Sequence, residues 1–259
     1  MARFQCNLIS YVLQRTVDNT VVVPSATIPE SMSMGKTAPS HKIAEKYPAL
    51  YLLHGYGNNH ATWCGYTNIE LYAEEHNIAA VMFSGENKFY TDVPGGDAYF
   101  EFIQKELPEF VTNYFPISDA PEHTYIAGLS MGGYGALLHG LTHPERFAAI
   151  GSFSGAVMPP EKPDKTPADP ALDVSSLAEK TLDAGTALPP LYIACGEKDF
   201  LYETNKAFKD MLMARNADVT WVTLPQYGHE WRFWDIQVEE FLKWIPRTDG
   251  YSSAGIRQI

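Results

Sequence analysis

Residues 126 to 136 hold a serine between glycines, in a pattern that suits nucleophilic catalysis. The run Gly128-x-Ser130-x-Gly132 is typical of a nucleophile elbow, in which a serine occupies a tight strand-to-helix turn and its neighbours must be small. The apolar residues 123–129 predict a buried strand before the turn, and residues 131–143 predict a helix after it. We therefore predict that Ser130 is a nucleophile. The alternative is a glycine-rich turn that only packs a helix against a strand.

A base and an acid that could activate this serine follow the last two predicted strands. Asp199 lies four residues beyond the strand predicted at Leu191–Cys195, and His229 lies five residues beyond the strand predicted at Val219–Leu224. Functional residues of doubly wound sheets collect at the carboxyl ends of the strands. The chain order serine, aspartate, histidine is the order of an α/β-hydrolase. The predicted chemistry is attack of Ser130 on an ester carbonyl, with His229 as the base and Asp199 orienting its imidazole.

Other residues compete for these two roles. Glu197 and Asp218 are alternative acids, because both lie close to the same predicted strands. His54 also follows a predicted strand, but it precedes the serine, where a histidine more often shapes the oxyanion loop.

The tetrahedral intermediate of acyl transfer needs preorganised hydrogen-bond donors for its oxyanion. The main-chain N–H of Met131, the residue after the predicted nucleophile, is one candidate. The second donor should come from the turn after the strand predicted at Ala49–Leu53. We assign it to the N–H of Tyr56, with Gly57 as the competing choice.

Three tryptophans are candidates for the wall of an acyl or sugar pocket: Trp63, Trp231 and Trp234. Aromatic side chains are more often part of a core, which is the alternative for each of them. The proline-rich segment 158–170 lies between the predicted nucleophile and the predicted acid, where cap insertions occur in this fold. It is either a cover for the pocket or an ordinary solvated loop.

The elements that position these residues alternate between strands and helices. This alternation predicts an α/β fold with a mainly parallel central sheet, helices on both faces and a minimal cap, in a single domain over residues 1–259. Near the N-terminus, residues 4–14 and 20–24 predict two strands around a turn at Asp18-Asn19. Residues 98–114 predict an amphipathic helix that Pro108 kinks.

Composition excludes several classes of function. The chain has 259 residues and a formal net charge of −12, which argues against nucleic acid as a partner. No stretch approaches the roughly 20 apolar residues that cross a bilayer, and residues 1–10 do not resemble a secretory signal. Its three cysteines are scattered and suggest neither a metal site nor a disulfide framework. We expect a cytoplasmic protein without metal, organic cofactor or membrane partner, either monomeric or homo-oligomeric.

Several motifs together resemble the family known as Putative esterase, which includes esterase D (S-formylglutathione hydrolase) and the tributyrin esterases. It is related to the acetylxylan and feruloyl esterases of carbohydrate esterase family 1. The resemblance covers roughly residues 5–245 and implies the α/β-hydrolase fold. It also implies Ser130, Asp199 and His229 as catalytic residues, with Tyr56 and Met131 as oxyanion donors. The motifs that carry it are His54-Gly-Tyr-Gly-Asn-Asn-His-Ala-Thr-Trp63, Tyr90-Thr-Asp92, Glu106-Leu-Pro108, Gly128-Leu-Ser-Met-Gly-Gly-Tyr-Gly135, Phe153-Ser-Gly155, Gly196-Glu-Lys-Asp-Phe-Leu-Tyr202 and Gly228-His-Glu-Trp231.

These observations predict a serine carboxylesterase that acts on small esters with short acyl groups, acetyl to butyryl, with acylated sugars among the candidate substrates. The alternative activities are an S-formylglutathione-type thioesterase and a feruloyl esterase. The segment 158–190 is shorter than the region we associate with esterase D, which disfavours the glutathione thioester. The alternative outside enzymes is a non-catalytic α/β-hydrolase scaffold that serves as a binding module. A binding role would have no need of all three residues of the predicted triad.

Overall fold

A computed structural model describes residues 1–32, 38, 40–157 and 170–259 of the chain. The proline-rich segment predicted at 158–170 therefore lies almost wholly outside the described residues. Residues 33–37 and 39, in a polar stretch of the sequence, also lie outside the described residues. Pro170 begins a short helical turn that ends at Leu172.

The core of the fold is an eight-stranded sheet with the spatial order β1-β2-β4-β3-β5-β6-β7-β8. Strands β3 to β8 run parallel to one another, and β2 pairs antiparallel with both β1 and β4. This mainly parallel sheet confirms the predicted α/β-hydrolase fold. The strands are β1 (Ala2–Ser10), β2 (Arg15–Val23), β3 (Ala49–Leu53), β4 (Ala79–Phe83), β5 (Thr124–Leu129), β6 (Ala149–Phe153), β7 (Leu191–Gly196) and β8 (Val219–Leu224).

Helices cover both faces of the sheet, as predicted. Successive residues of a strand point to opposite faces, so Tyr51 and Leu53 of β3 join one core cluster while Leu50 and Leu52 join the other. Helices α5 to α8 pack on the first cluster, and α3 and α9 pack on the second. The helices are α1 (Ile28–Ser31), α2 (Thr62–Tyr66), α3 (Ile69–Glu75), α4 (Tyr99–Glu101), α5 (Leu107–Tyr114), α6 (Met131–Thr142), α7 (Val174–Asp183), α8 (Tyr202–Ala214) and α9 (Trp231–Trp244).

The predicted position of the N-terminal turn is wrong. The chain reverses at residues 11–14, and Asp18 and Asn19 lie inside β2, paired with Asn7 and Cys6. The cause is a long-range contact. The carboxylate of Glu106 accepts hydrogen bonds from the Ser10 hydroxyl (2.6 Å) and from the N–H groups of Tyr11 (2.7 Å) and Val12 (3.0 Å). A carboxylate almost a hundred residues away therefore satisfies the donors of this turn.

The helix predicted over residues 98–114 contains a π-helical turn, Phe102–Glu106, between α4 and α5. Pro108 has no N–H to offer the carbonyl of Gln104 one turn earlier. The Arg146 guanidinium donates to that carbonyl instead and also to the Gln104 side-chain oxygen (2.6 Å). The irregularity that the sequence predicts as a kink is thus a widened turn capped by an arginine.

Candidate active site

Ser130 occupies a strained turn between β5 and α6. Its backbone has φ 52° and ψ −115°, a region that non-glycine residues rarely adopt and that costs about 1–3 kcal/mol. Glycine is required at positions 128 and 132 because a side chain would not fit there. A Cβ on Gly128 would lie 2.4 Å from the Gly132 carbonyl oxygen, and one on Gly132 would lie 2.3 Å from the Leu53 oxygen. The turn therefore holds the half-buried Ser130 rigidly at the carboxyl end of the sheet.

His229 and Asp199 meet at the same end of the sheet. The Nδ1 atom of His229 lies 2.9 Å from Oδ2 of Asp199, and the Leu201 N–H donates to the other carboxylate oxygen over 2.9 Å. Burial opposes ionisation of Asp199, but hydrogen bonds from His229, the Leu201 N–H and Ser154 outweigh it and lower the pKa of the carboxyl. An ionised carboxylate only accepts hydrogen bonds, so Nδ1 carries the hydrogen. Nε2 of His229 then presents a lone pair that could take a proton.

The alternative acids lie elsewhere. Glu197 accepts a hydrogen bond from the Thr223 hydroxyl at 3.0 Å. Asp218 precedes β8, at the opposite end of the sheet, where its carbonyl accepts from the Leu191 N–H at 2.9 Å. Of the three candidate acids, the structure brings only Asp199 to His229.

Aromatic side chains lie against the imidazole. Trp234 meets the His229 ring edge to face at a centroid distance of 4.9 Å, and Phe200 lies against it at 4.7 Å. The Trp234 indole N–H donates to the hydroxyl of Ser154, which follows β6 (3.2 Å). Across the part of the chain that the structure covers, the Ser130 hydroxyl makes no hydrogen bond with His229. Such contacts often tighten only when substrate binds.

The surroundings of the two predicted oxyanion donors differ from those of the competing Gly57. Met131 is the first residue of α6, where the N–H groups of a helix have no intrahelical acceptor. In the turn after β3, the N–H of the competing Gly57 already donates to the side-chain oxygen of Asn87 at 2.7 Å. Within the described ranges, the N–H groups of Tyr56 and Met131 donate no hydrogen bond. This difference favours Tyr56 over Gly57.

The three tryptophans differ in their surroundings. Trp63 is completely buried and donates its indole N–H to the Leu53 carbonyl (3.1 Å), so the structure corrects its predicted place on a pocket wall. Its burial comes from packing against Phe153 and Trp231. Trp234 is also buried but touches His229. Trp231 is half-buried and stacks on the Tyr66 ring at 4.9 Å.

Sequence reasoning missed Phe200, whose side chain is 77% exposed although its ring contacts His229. A large apolar residue directly after a predicted catalytic acid, in a loop, is a signal that could have found it. Asn87 was also missed, because nothing in its local sequence indicates a contact with Gly57.

The described residues bear on two of the expected partners, a metal ion and a membrane. No three His, Cys, Asp or Glu side chains among the residues placed in the structure are grouped so that they could hold a metal ion. None of the helices in the described ranges is long and apolar enough to cross a membrane.

Residues 25–240 match the profile of the family described as Putative esterase. The chain belongs to this esterase family. It is 31% identical to an acetyl esterase of Caldicellulosiruptor saccharolyticus, over 96% of this chain and 99% of that protein.

Solved structures agree with membership of the esterase family. The chain resembles the fluorophosphonate-binding serine hydrolase FphF of Staphylococcus aureus, with a TM-score of 0.82 and 28% identity, over 94% of this chain and 97% of that one. It also resembles the S-formylglutathione hydrolase FrmB of the same organism, with a TM-score of 0.79 and 27% identity, over 94% and 98% of the two chains. The protein is therefore an esterase-family hydrolase, and members of the family act on small ester substrates.

Proposed function

We propose that the protein is a serine carboxylesterase in which Ser130 is the nucleophile, His229 the general base and acid, and Asp199 the residue that orients the imidazole. The observation that carries this proposal is the 2.9 Å hydrogen bond between His229 and the buried Asp199, at the same end of the sheet as the strained Ser130. A purely structural turn has no need of a strained serine. A non-catalytic scaffold has no need of a buried carboxylate that fixes the tautomer of a nearby histidine.

The proposed reaction has two halves. Ser130 Oγ adds to the acyl carbon while His229 Nε2 takes its proton, and the alcohol leaves with that proton. Water then attacks the acyl-enzyme, giving its proton to His229, and the carboxylic acid leaves as Ser130 regains a proton. In both halves the N–H groups of Tyr56 and Met131 would donate to the oxyanion. Losing one such donor typically costs about 3 kcal/mol of transition-state stabilisation.

We propose short acyl esters, acetyl to butyryl, as the substrates. Between β6 and β7 the described residues add a short helical turn and α7, and α7 packs against α6. These elements give long acyl chains little apolar surface, and each buried methylene is worth roughly 0.8 kcal/mol. The likeness to a bacterial acetyl esterase supports the same substrate class, with acetylated sugars as candidate alcohol partners.

A thioester is the second candidate substrate, because the chain resembles an S-formylglutathione hydrolase over almost its whole length. The proposed nucleophile, base and oxyanion donors would serve either leaving group. Comparing kcat/KM for S-formylglutathione, acetylated xylan, a feruloyl ester and p-nitrophenyl acetate decides between these substrates.

The nucleophile is tested with Ser130→Ala and a fluorophosphonate probe. We expect the probe to label Ser130 alone and the variant to lose about 10⁴- to 10⁶-fold in the rate of p-nitrophenyl acetate hydrolysis while remaining folded. Ser31→Ala, at an exposed serine of α1, is the matched control and should keep wild-type turnover. A folded Ser130→Ala variant with wild-type turnover would overturn the proposal. The short-acyl assignment is tested by measuring kcat/KM for p-nitrophenyl esters from acetate to palmitate, and a maximum at decanoate or longer would overturn it.

A further inference from the structure

Two turns meet beside Ser130. The first, residues 54–58, follows β3 and carries the proposed oxyanion donor Tyr56. The second, residues 84–90, follows β4 and contacts the first turn through several hydrogen bonds. Because strands β3 and β4 are neighbours in the sheet, both turns emerge at its carboxyl end.

The buried His54 joins the two turns. The Gly85 N–H donates to His54 Nε2 at 2.9 Å, so Nδ1 carries the ring hydrogen and donates to the Gly55 carbonyl at 2.8 Å. The hydroxyl of Tyr90, which is completely buried, donates to the His54 carbonyl at 2.7 Å. These contacts fix the start of the first turn.

The second turn has an unusual backbone and a tightly packed end. Glu86, Phe89 and Tyr90 have φ angles of 47°, 53° and 60°. A Cβ on Gly85 or on Gly135 of α6 would lie 2.4 Å from the Tyr90 ring. A segment with three non-glycine residues at positive φ persists only because the surrounding structure holds it in that conformation. Such segments cluster at functional sites.

Asn87 lies at the exposed tip of this second turn. Its side-chain oxygen accepts the Gly57 N–H at 2.7 Å, and in the described residues this is the only hydrogen bond of the Asn87 side chain. The bond occupies the N–H next to that of Tyr56 and holds the peptide plane between Tyr56 and Gly57, whose φ is +78°. The Tyr56 N–H belongs to the preceding peptide plane, whose Gly55 carbonyl accepts from His54 Nδ1, and within the described residues this N–H donates no hydrogen bond.

We infer that Asn87 is a positioning residue for the oxyanion hole: by holding the Gly57 N–H, it orients the Tyr56 N–H toward the oxyanion of the tetrahedral intermediate. This inference rests on the proposed serine esterase mechanism. Asn87 does not touch the reacting atoms and acts through the turn at residues 54–58. Because Asn87 is exposed and its side chain makes a single hydrogen bond within the described residues, its replacement affects the Tyr56 donor without leaving a cavity in the core.

The test uses Asn87→Ala, with Lys88→Ala as the matched control. Lys88 is the next residue of the same turn, and its ammonium group pairs with Asp97 rather than with residues 54–58. We expect Asn87→Ala to lower kcat for p-nitrophenyl acetate by about 10- to 100-fold, less than the loss of a donor itself, with KM within about twofold. The affinity for a methyl trifluoromethyl ketone should fall in parallel with kcat/KM, because its adduct with Ser130 places an oxyanion on the same donors. Lys88→Ala should match the wild type.

Two further measurements separate positioning from a structural effect. The Tm of Asn87→Ala should stay within about 2 °C of the wild type. The pH at which kcat/KM is half-maximal should not move, because the His229–Asp199 pair is untouched. Unchanged kcat and unchanged ketone affinity in Asn87→Ala would overturn the inference, and so would a displaced pH profile. These results are distinguishable from failure of the proposed function, in which Ser130→Ala would remain active and the wild type would not react with the ketone.

Discussion

At the carboxyl end of the sheet several non-glycine residues adopt positive φ angles, whereas the opposite end is held by ion pairs and stacked tyrosines. Ser130, Ser154, Phe89 and Tyr90 have φ angles between 48° and 60° and surround the proposed catalytic site. At the amino end of the sheet, Asn77 also has a positive φ angle. Asparagine tolerates such angles because its short polar side chain can hydrogen-bond to the nearby backbone.

The C-terminal residues stabilise that amino end. Arg247 pairs with the buried Asp249 through two hydrogen bonds of 2.5 and 2.7 Å and donates to the His76 carbonyl at 2.8 Å. Tyr251 stacks on Tyr47, which precedes β3, at 4.9 Å. Backbone strain is thus concentrated where the geometry of reacting groups matters, and the opposite end contributes stability. Variants at the two ends should therefore separate activity from stability.

The largest effect is expected at the carboxyl end, from the pair that would activate Ser130. His229→Ala should remove most activity, and Asp199→Asn should lower kcat by about 10⁴-fold, because the imidazole would no longer be held in the required tautomer. Glu197→Gln is the matched control, since Glu197 contacts Thr223 instead. Steady-state kinetics with p-nitrophenyl acetate measures all three. If Glu197→Gln were inactive and Asp199→Asn active, the acid would be misassigned.

At the amino end the expected loss is in stability. Asp249→Ala leaves the Arg247 guanidinium, itself largely buried, without its carboxylate, and removing one partner of a buried pair costs about 3–5 kcal/mol. Urea denaturation should show this loss, while kcat and KM of the folded variant stay close to the wild type. A large fall in kcat of the folded protein would contradict the division between the two ends.

The sequence predicts those features of the fold and of the candidate site that depend on local patterns. The bounds of β3 and β8 agree with the predicted segments, because apolar runs are local signals. The elbow at Ser130 is recognisable because the close approach of β5 and α6 requires glycines at 128 and 132.

The features that the sequence does not predict depend on distant contacts. The turn at residues 11–14 depends on Glu106, and the bond that occupies Gly57 comes from Asn87 in the turn after β4. The burial of Trp63 depends on how α9 packs over the sheet. Which side chain meets which across the fold is set by tertiary packing, and no spacing within one segment encodes it.

A smaller effect should follow from two buried histidines near the catalytic end. Burial lowers the pKa of His139 to about 3 and that of His54 to about 4. Between pH 6.5 and about 4, the unfolded chain binds protons at these residues and the folded chain does not, so stability falls as the pH falls. Each histidine should contribute a slope of about 1.4 kcal/mol per pH unit in this window.

This slope can be measured by urea denaturation at pH 7, 6 and 5. His139→Asn should be less stable at pH 7 but show a shallower decline toward pH 5, because one titrating group is gone. His41→Gln, at an exposed histidine, is the control for the substitution itself. Equal slopes in His139→Asn and the wild type would mean that His139 takes up its proton in the folded protein.

The smallest effect is expected at Phe200, which lies at the carboxyl end but is neither strained nor buried. Its ring covers one side of the His229 imidazole and is otherwise open to solvent, so it can contact a bound ester in the ground state and in the transition state alike. Such uniform binding affects KM rather than kcat. We expect Phe200→Ala to raise KM for p-nitrophenyl acetate about two- to fivefold, with kcat within about twofold and little change in stability. Met213→Ala, at an exposed apolar residue of α8, is the control. A loss of kcat at constant KM would instead mean that Phe200 helps Trp234 and Asp199 to orient the imidazole, and the catalytic end would then depend on an exposed ring as well as on its strained backbone.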